Sequence, residues 1–527
     1  MTMHFGFPVL TALIVLPLAA AGVLLFLREE RTVRVLTLVA GVLECLLCLR
    51  LFSYAPQGAV FQFEEKADWL PALGMTYHLG LDGLSLYMVL LTALMLPLCV
   101  LGSWTYISKR IKEFHFCLLL MTSACIGVFA ALDFVLFYVF WEAMLVPMYL
   151  LIAVWGGPRR RYASIKFFLY TLAGSTLLLA AIVAFRHVGG SFSIPELMEK
   201  SYSFKFQIWA FLAMALAFAI KVPMFPFHTW LPAAHVEAPA AGSVFLAAIL
   251  LKMGAYGFLR FCLPLTPAAS VVAAPVMIAM SIASILYGGC IALAQTDIKK
   301  LIAYSSVAHM GFVTLGIFLL SLSGISGAVL QMLNHGITTG ALFMMVGLLY
   351  ERSHSREIAD NQGLGKHMPA FMFLMGLFSF SALAFPGTNS FVGEVLVLIG
   401  AFRGNVWIGF AAVPGAMLAA AYMLRLLQRV TWGAPTSFKP SWWDLGVREW
   451  VTLAPLAALV LYIGLAPSVA IKTIEPSIER VLATMNVKNT AMGLEDRHLA
   501  LRLHLPAVTV AAPTVADDRD QIKKERP

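Results

Sequence analysis

Runs of about 20 apolar residues, the length of helix that crosses a bilayer's hydrocarbon core, follow one another along this chain with no polar domain between them. They lie near residues 5–27, 32–53, 82–106, 114–131, 133–156, 163–187, 207–230, 238–262, 271–294, 300–321, 324–349, 368–400, 405–431 and 450–470. The pattern predicts an all-α polytopic membrane protein of about fourteen transmembrane helices. Composition agrees: 60% of the 527 residues are hydrophobic and 12% charged, against roughly 25% charged in a soluble domain. The first run, Met3 to Leu27, lacks the basic start of a signal peptide and reads as the first span.

The net charge of +9 is not a nucleic-acid signal, because the basic residues form short clusters between apolar runs. Clusters such as Arg28/Arg31/Arg34, Arg159–Arg161 and Lys299/Lys300 follow odd-numbered spans. Fewer cations, among them Lys66, Arg186, Arg260 and Arg403, follow even-numbered ones. Positive-inside bias then places both termini away from the cytoplasm. The loop 54–81 is expected to hold short interfacial strands, 189–206 a short surface segment, and the stretch from about 471 a surface helix with a disordered end. Cys45 and Cys48 sit one helical turn apart without a second Cys/His pair, so they read as packing residues rather than metal ligands. The chain has no haem motif, dinucleotide fingerprint or cluster-binding cysteine set. No cofactor is expected in it, and any electron transfer falls to another subunit.

Two spans are interrupted. In the first, Lys221 is followed by Pro223, Pro226, His228 and Pro232. Proline removes a backbone donor, so Pro223 is expected to free the carbonyl of Ala219 and Pro226 that of Val222. Open backbone at membrane depth survives only where protein or a water-filled cavity satisfies it. His228 and His235 are expected to serve the break structurally, by hydrogen-bonding the freed carbonyls. In the second, Pro386 and Gly387 break the run 368–400, and Glu394 follows. The breaks lie about 160 residues and five spans apart, the mark of transporter repeats with an ion path between them. Five is odd, so the repeats are inverted: helices 4–8 and 9–13, with helices 7 and 12 broken. The corresponding segments are 1–112, 113–262 (repeat one), 263–432 (repeat two) and 433–527.

Ionisable residues inside spans cost about 2.5–3.5 kcal/mol at the bilayer centre and mark ion pathways. Glu142 lies in Phe140-Trp-Glu-Ala-Met-Leu-Val-Pro147 and needs a cation; Lys221 is the expected partner. Pairing and burial push proton affinity in opposite directions, which leaves such groups poised to exchange protons. Lys252 sits mid-span without an acid on its own helix, suited to alternating between charged and neutral forms. His309 and His335 occupy the next spans but one and two, and Glu394 closes the series. In order, Glu142, Lys221, Lys252, His309, His335 and Glu394 describe a horizontal proton relay with one exit. Asp82 is expected to cap the third helix instead.

Phe140–Pro147, the stretch Phe227-His-Thr-Trp-Leu-Pro-Ala-Ala-His-Val-Glu-Ala-Pro239, and Leu251-Lys-Met-Gly-Ala-Tyr-Gly257 closely resemble the antiporter-like membrane subunits of NADH:quinone oxidoreductase (respiratory complex I). The M-type branch fits best, because its twelfth helix carries a glutamate, here Glu394, where the L- and N-type sister subunits carry lysine. The resemblance implies fourteen helices, inverted five-helix repeats and one proton translocated per channel. It also implies Glu142–Lys221 as the coupling pair, Lys252 and the histidines as the central relay, and Glu394 as the terminal group. The implied partners are the other membrane-arm subunits, L- and N-type above all, in a bacterial inner membrane. This chain departs from the family at Ala233, where an aspartate is usual. A subunit of an Mrp-type sodium/proton antiporter, or of a membrane-bound hydrogenase-like complex, shares several of these motifs and is the competing reading.

Overall fold

The computed structural model describes residues 7–433 and 442–492. Helices α1 (Val9–Leu24) and α2 (Glu30–Ser53) lead into a two-stranded antiparallel hairpin, β1 (Gln62–Leu70) and β2 (Met75–Leu81). Helices α3 (Leu86–Gly102), α4 (Ile111–Ala130), α5 (Phe134–Trp155) and α6 (Arg160–Gly189) follow. The first interrupted span is α7 (Phe204–Lys221) and α8 (Trp230–Glu237). Next come α9 (Ala240–Leu265), α10 (Pro267–Ala294), α11 (Ile298–Phe318) and α12 (Leu322–Ser353). The second interrupted span is α13 (Pro369–Ala382) and α14 (Asn389–Gly404), before α15 (Val406–Thr431), α16 (Val447–Leu465) and α17 (Pro467–Ala491).

Among the described residues, eleven helices are long and apolar enough to cross a membrane, and α1, α3 and α13 are apolar but shorter. The most apolar window of α9 is wholly enclosed by other helices, and those of α11 and α12 nearly so. These three carry Lys252, His309 and His335, so the polar residues of the core ride on its most shielded elements.

The hairpin expected in the loop 54–81 is present, turned at Gly74, whose φ of 71° favours a residue without a side chain. Its Glu65 accepts from the backbone N–H groups of Leu10 (2.7 Å) and Thr11 (2.9 Å), ending α1 against the strands. Segment 189–206 is less superficial than expected: Ile194 and Leu197 are buried, and Ile194 N–H donates to Leu132 O at 2.9 Å. The surface helix of the tail is α17, which starts earlier, at Pro467, and sinks Ile474, Ile478 and Met485 against the bundle. The disordered end expected beyond it lies outside the described residues.

Two buried ion pairs tie distant spans. Asp82 does not cap the first turn of α3 itself, whose N-cap is Ser85, but holds the turn leading into it, its Oδ1 accepting from Leu84 and Ser85 N–H at 3.1 and 3.2 Å. The same oxygen takes Arg260 Nη2 at 2.5 Å. Arg260 is therefore not a loop cation: it is 3% exposed, inside a π-helical turn of α9, stacked over Phe61 and Tyr256. Arg352 of α12 likewise pairs with Glu449 of α16 at 2.7 Å. Neither arginine counts toward a loop-charge bias, because each is neutralised inside the protein.

Candidate functional site: a buried polar path

The first break is satisfied differently from the sequence expectation. Pro223 does not leave Ala219 O unpaired: Met224 N–H reaches back to it at 2.8 Å, one residue beyond the regular partner. Trp230 Nε1–H donates to Ile220 O at 2.7 Å, and Phe225 N–H donates to Ser284 of α10 at 2.8 Å. His228 and His235 do not bond the freed carbonyls. His228 stacks on Phe225 and meets Tyr287 edge-on, and His235 lies flat on Phe343 at 4.6 Å. Aromatic contacts hold both rings, and both nitrogens of His235 are buried without a hydrogen bond.

Lys221, at the last turn of α7, is 2% exposed. Its ammonium sits 5.0 Å over the ring of Trp141 and 3.5 Å from Met144 Sδ. Those residues flank Glu142 on α5, so Lys221 and Glu142 interact electrostatically, yet no direct ion pair forms. The ammonium faces the indole ring and the thioether instead. Glu142 is half-buried, and its Oε1 is enclosed without a partner.

Gly254 brings α9 against the backbone of α7; a Cβ there would meet Phe218 O and the Val222 side chain. The turn carrying Lys252 is flanked by two π-helical turns, Leu246–Leu250 and Phe258–Cys262. Single π turns expose carbonyls that a regular helix would use, and Lys252 Nζ donates to one of them, Ala247 O. The same ammonium lies 2.6 Å from His335 Nδ1. His335 and His309 follow with ring centroids 5.8 Å apart. His309 Nδ1 is 2.9 Å from Glu394 Oε1.

Lys252, His335, His309 and Glu394, drawn from α9, α12, α11 and α14, thus form one enclosed series, each 4% exposed or less. No hydrogen bond links Lys221 directly to Lys252 among the described residues. His335 Nε2 and Glu394 Oε2 are buried and unbonded, spare positions for a proton or a bridging water.

Three partners were not anticipated. Tyr422 of α15 lies 3.3 Å from His309 Nε2, Gln331 donates to Glu394 Oε1 at 3.1 Å, and Trp141 faces Lys221. A tyrosine, a tryptophan or a glutamine in an apolar span is ordinary packing by composition. Only its placement opposite an ionisable group marks it.

The second break is stitched rather than open. Ala384 and Gly387 have φ of 58° and 90°, reversing the chain around Pro386. Asn334 donates to Asn389 O at 2.7 Å. Ser381 and Thr338 both donate to Asn389 Oδ1, at 2.5 and 3.3 Å. These bonds start α14 at a fixed height and so fix Glu394 near His309.

The family described as NADH:quinone oxidoreductase/Mrp antiporter, transmembrane, matches residues 131–419, which hold both breaks and the whole polar series. NADH-quinone oxidoreductase subunit M of Rhodobacter capsulatus is 44% identical, over 89% of this chain and 95% of its own. That of Rickettsia bellii is 42% identical, over 90% and 98%. NADH-ubiquinone oxidoreductase chain 4 of Chondrus crispus is 42% identical, over 86% and 93%. A chain of respiratory complex I from Thermus thermophilus superposes with a TM-score of 0.84 and 33% identity, over 90% of this chain and 99% of its own. An Mrp complex chain from Dietzia shares the fold, with a TM-score of 0.78 over 94% of this chain and 56% of its own, at 22% identity. The chain belongs to the NADH:quinone oxidoreductase/Mrp antiporter transmembrane family, in the branch of NADH-quinone oxidoreductase subunit M.

Proposed function

We propose that this chain moves protons across the membrane as the M-type, non-redox subunit of a proton-translocating NADH:quinone oxidoreductase. The observation that carries the reading is the enclosed series Lys252–His335–His309–Glu394, joined across four helices by a hydrogen-bond contact at each end and a ring contact between the two histidines. Burying four titratable groups at membrane depth costs more than an apolar packing would, and unlike Asp82–Arg260 and Arg352–Glu449 the series leaves His335 Nε2 and Glu394 Oε2 unbonded. Lys221 and Glu142 act as the coupling pair through space rather than by direct contact. A charge arriving beside Glu142 then shifts Lys221, and the shift passes to Lys252 between the packed backbones of α7 and α9.

In the finer reading, about fourteen spans form two inverted five-helix repeats, 113–262 and 263–432, flanked by 1–112 and 433–527. L-type and N-type subunits adjoin the chain in a bacterial inner membrane, and no cofactor resides in it. Replacing Glu142→Gln or Lys221→Ala in the assembled complex is expected to lower proton pumping severely while NADH oxidation by the remaining subunits is still measurable. Pumping at the wild-type proton-to-electron ratio in a fully assembled complex would overturn the relay.

A further inference from the structure

Away from the relay, α6, α8 and α11 enclose a cavity of about 270 Å³ on the side of the arginine-rich loops. Arg159, Lys166 and Lys300 line it, with a single acid, Glu237. That acid is already engaged. Its Oε1 lies 3.8 Å from Arg159, and its Oε2 accepts the Arg159 N–H at 2.9 Å. The ammonium groups of Lys166 and Lys300 form no ion pair among the described residues, the backbone N–H of Lys300 alone donating to Asp297 at 3.0 Å. Lys166 is half-buried, its ammonium 5.5 and 6.0 Å from the ring centres of Tyr162 and Tyr170. Along α6 it lies seven residues beyond Arg159, about 10 Å by helical rise. The cations therefore span from the loop rim down to where apolar helix surface begins. Tyr162, Tyr304 and Pro232 supply an apolar wall, and Thr229 a hydroxyl. The lining includes Ala233, which leaves the site without a second carboxylate.

We propose that this cavity binds the phosphate headgroup of an anionic phospholipid, its phosphate between Lys166 and Lys300 and its acyl chains along the apolar wall. Charge complementarity selects the occupant: a net positive recess at the headgroup boundary, opening beside lipid-facing helix, favours an anionic lipid over a neutral one. A free phosphate ion would satisfy the charges but not the apolar wall. The proposal does not rest on proton translocation, and neither lysine belongs to the relay.

The test uses the whole complex in nanodiscs of phosphatidylcholine carrying a trace of phosphatidylglycerol with a photoreactive headgroup. Cross-links are expected in the peptides holding Tyr162–Lys166 and Lys300–Tyr304. They should be displaced by unlabelled phosphatidylglycerol and not by added phosphatidylcholine or inorganic phosphate. Lys166→Gln with Lys300→Gln is expected to reduce them about 30-fold, the effect of two interfacial cations. Ala233→Asp, which adds a carboxylate without touching a cation, should reduce them several-fold. Cross-links indifferent to all three substitutions, equal displacement by phosphatidylcholine, displacement by inorganic phosphate, or labelling of a neighbouring subunit in place of these peptides would each overturn the proposal.

Discussion

The distinction that matters at the scale of single residues is between charges that are paired off and charges left poised. Asp82–Arg260 and Arg352–Glu449 are closed: each ion has a direct partner and further hydrogen bonds or ring contacts. Lys252, His335 and Glu394 are open, each with a spare position or a neighbour of variable charge. Asp82→Ala strips a buried arginine of its partner and is expected to cost about 3–5 kcal/mol. Loss of the chain from the assembled complex, or a large drop in its thermal stability, checks this. The open groups were legible in the sequence because an ionisable residue amid apolar neighbours has few other uses. Arg260 was not, because it stands near the end of an apolar run, where a loop cation is the ordinary reading; its partner is 178 positions away. Lys221 is the electrostatic partner of Glu142 that the sequence pointed to, but sequence shows which charges are present, not that the ammonium would face Trp141 and Met144 in place of a direct ion pair.

At the scale of elements, the breaks work as fixed joints. Both positions were readable from Pro223, Pro226, Pro386 and Gly387, since proline and glycine act locally. How the freed backbone is satisfied was not readable. Ser284, Trp230, Asn334 and Ser381 come from other helices or from beyond the turn, and their bonds exist only once helices pack. Gly464 of α16 lies against the second break, where a Cβ would strike Gly387 O. Gly464→Val is expected to destabilise by about 1–3 kcal/mol through overpacking. Because it tilts the start of α14, it should also lower proton pumping more than NADH oxidation. Measuring both activities in one preparation separates this from simple loss of protein. A Gly464→Val complex with both activities intact would mean the joint tolerates displacement and does not set the position of Glu394.

For the whole molecule, two ends differ in chemistry. The β-hairpin caps α1 at one end, and the loop leading into the hairpin is tied to α17, whose Arg480 donates to Gly58 O at 3.0 Å. The basic turns at Arg159–Arg161 and around Lys300 and Arg356 gather at the other, where Arg356 reaches Asp297 at 3.6 Å. With Arg260, Lys299 and Arg352 buried rather than displayed, the bias still favours these turns as the cytoplasmic side. In otherwise cysteine-free chains, a cysteine at Asp68 should react with a membrane-impermeant maleimide from outside intact cells. One at Arg161 should react only after the membrane is opened. The reverse would invert the assigned orientation while leaving the fold as it stands.

Lys252 joins both levels of organisation: it sits on the most enclosed helix, between two π turns, and its ammonium lies 2.6 Å from His335 Nδ1. The most direct test is therefore the number of protons pumped per electron by proteoliposomes holding the assembled complex with Lys252→Met. This substitution keeps an unbranched side chain only one atom shorter and removes its charge and its hydrogen bonds. A buried proton relay predicts a ratio reduced by at least the share of this one channel, with the complex still assembled and its NADH-oxidising subunits still active. An unchanged ratio would mean that protons do not pass along Lys252, His335, His309 and Glu394.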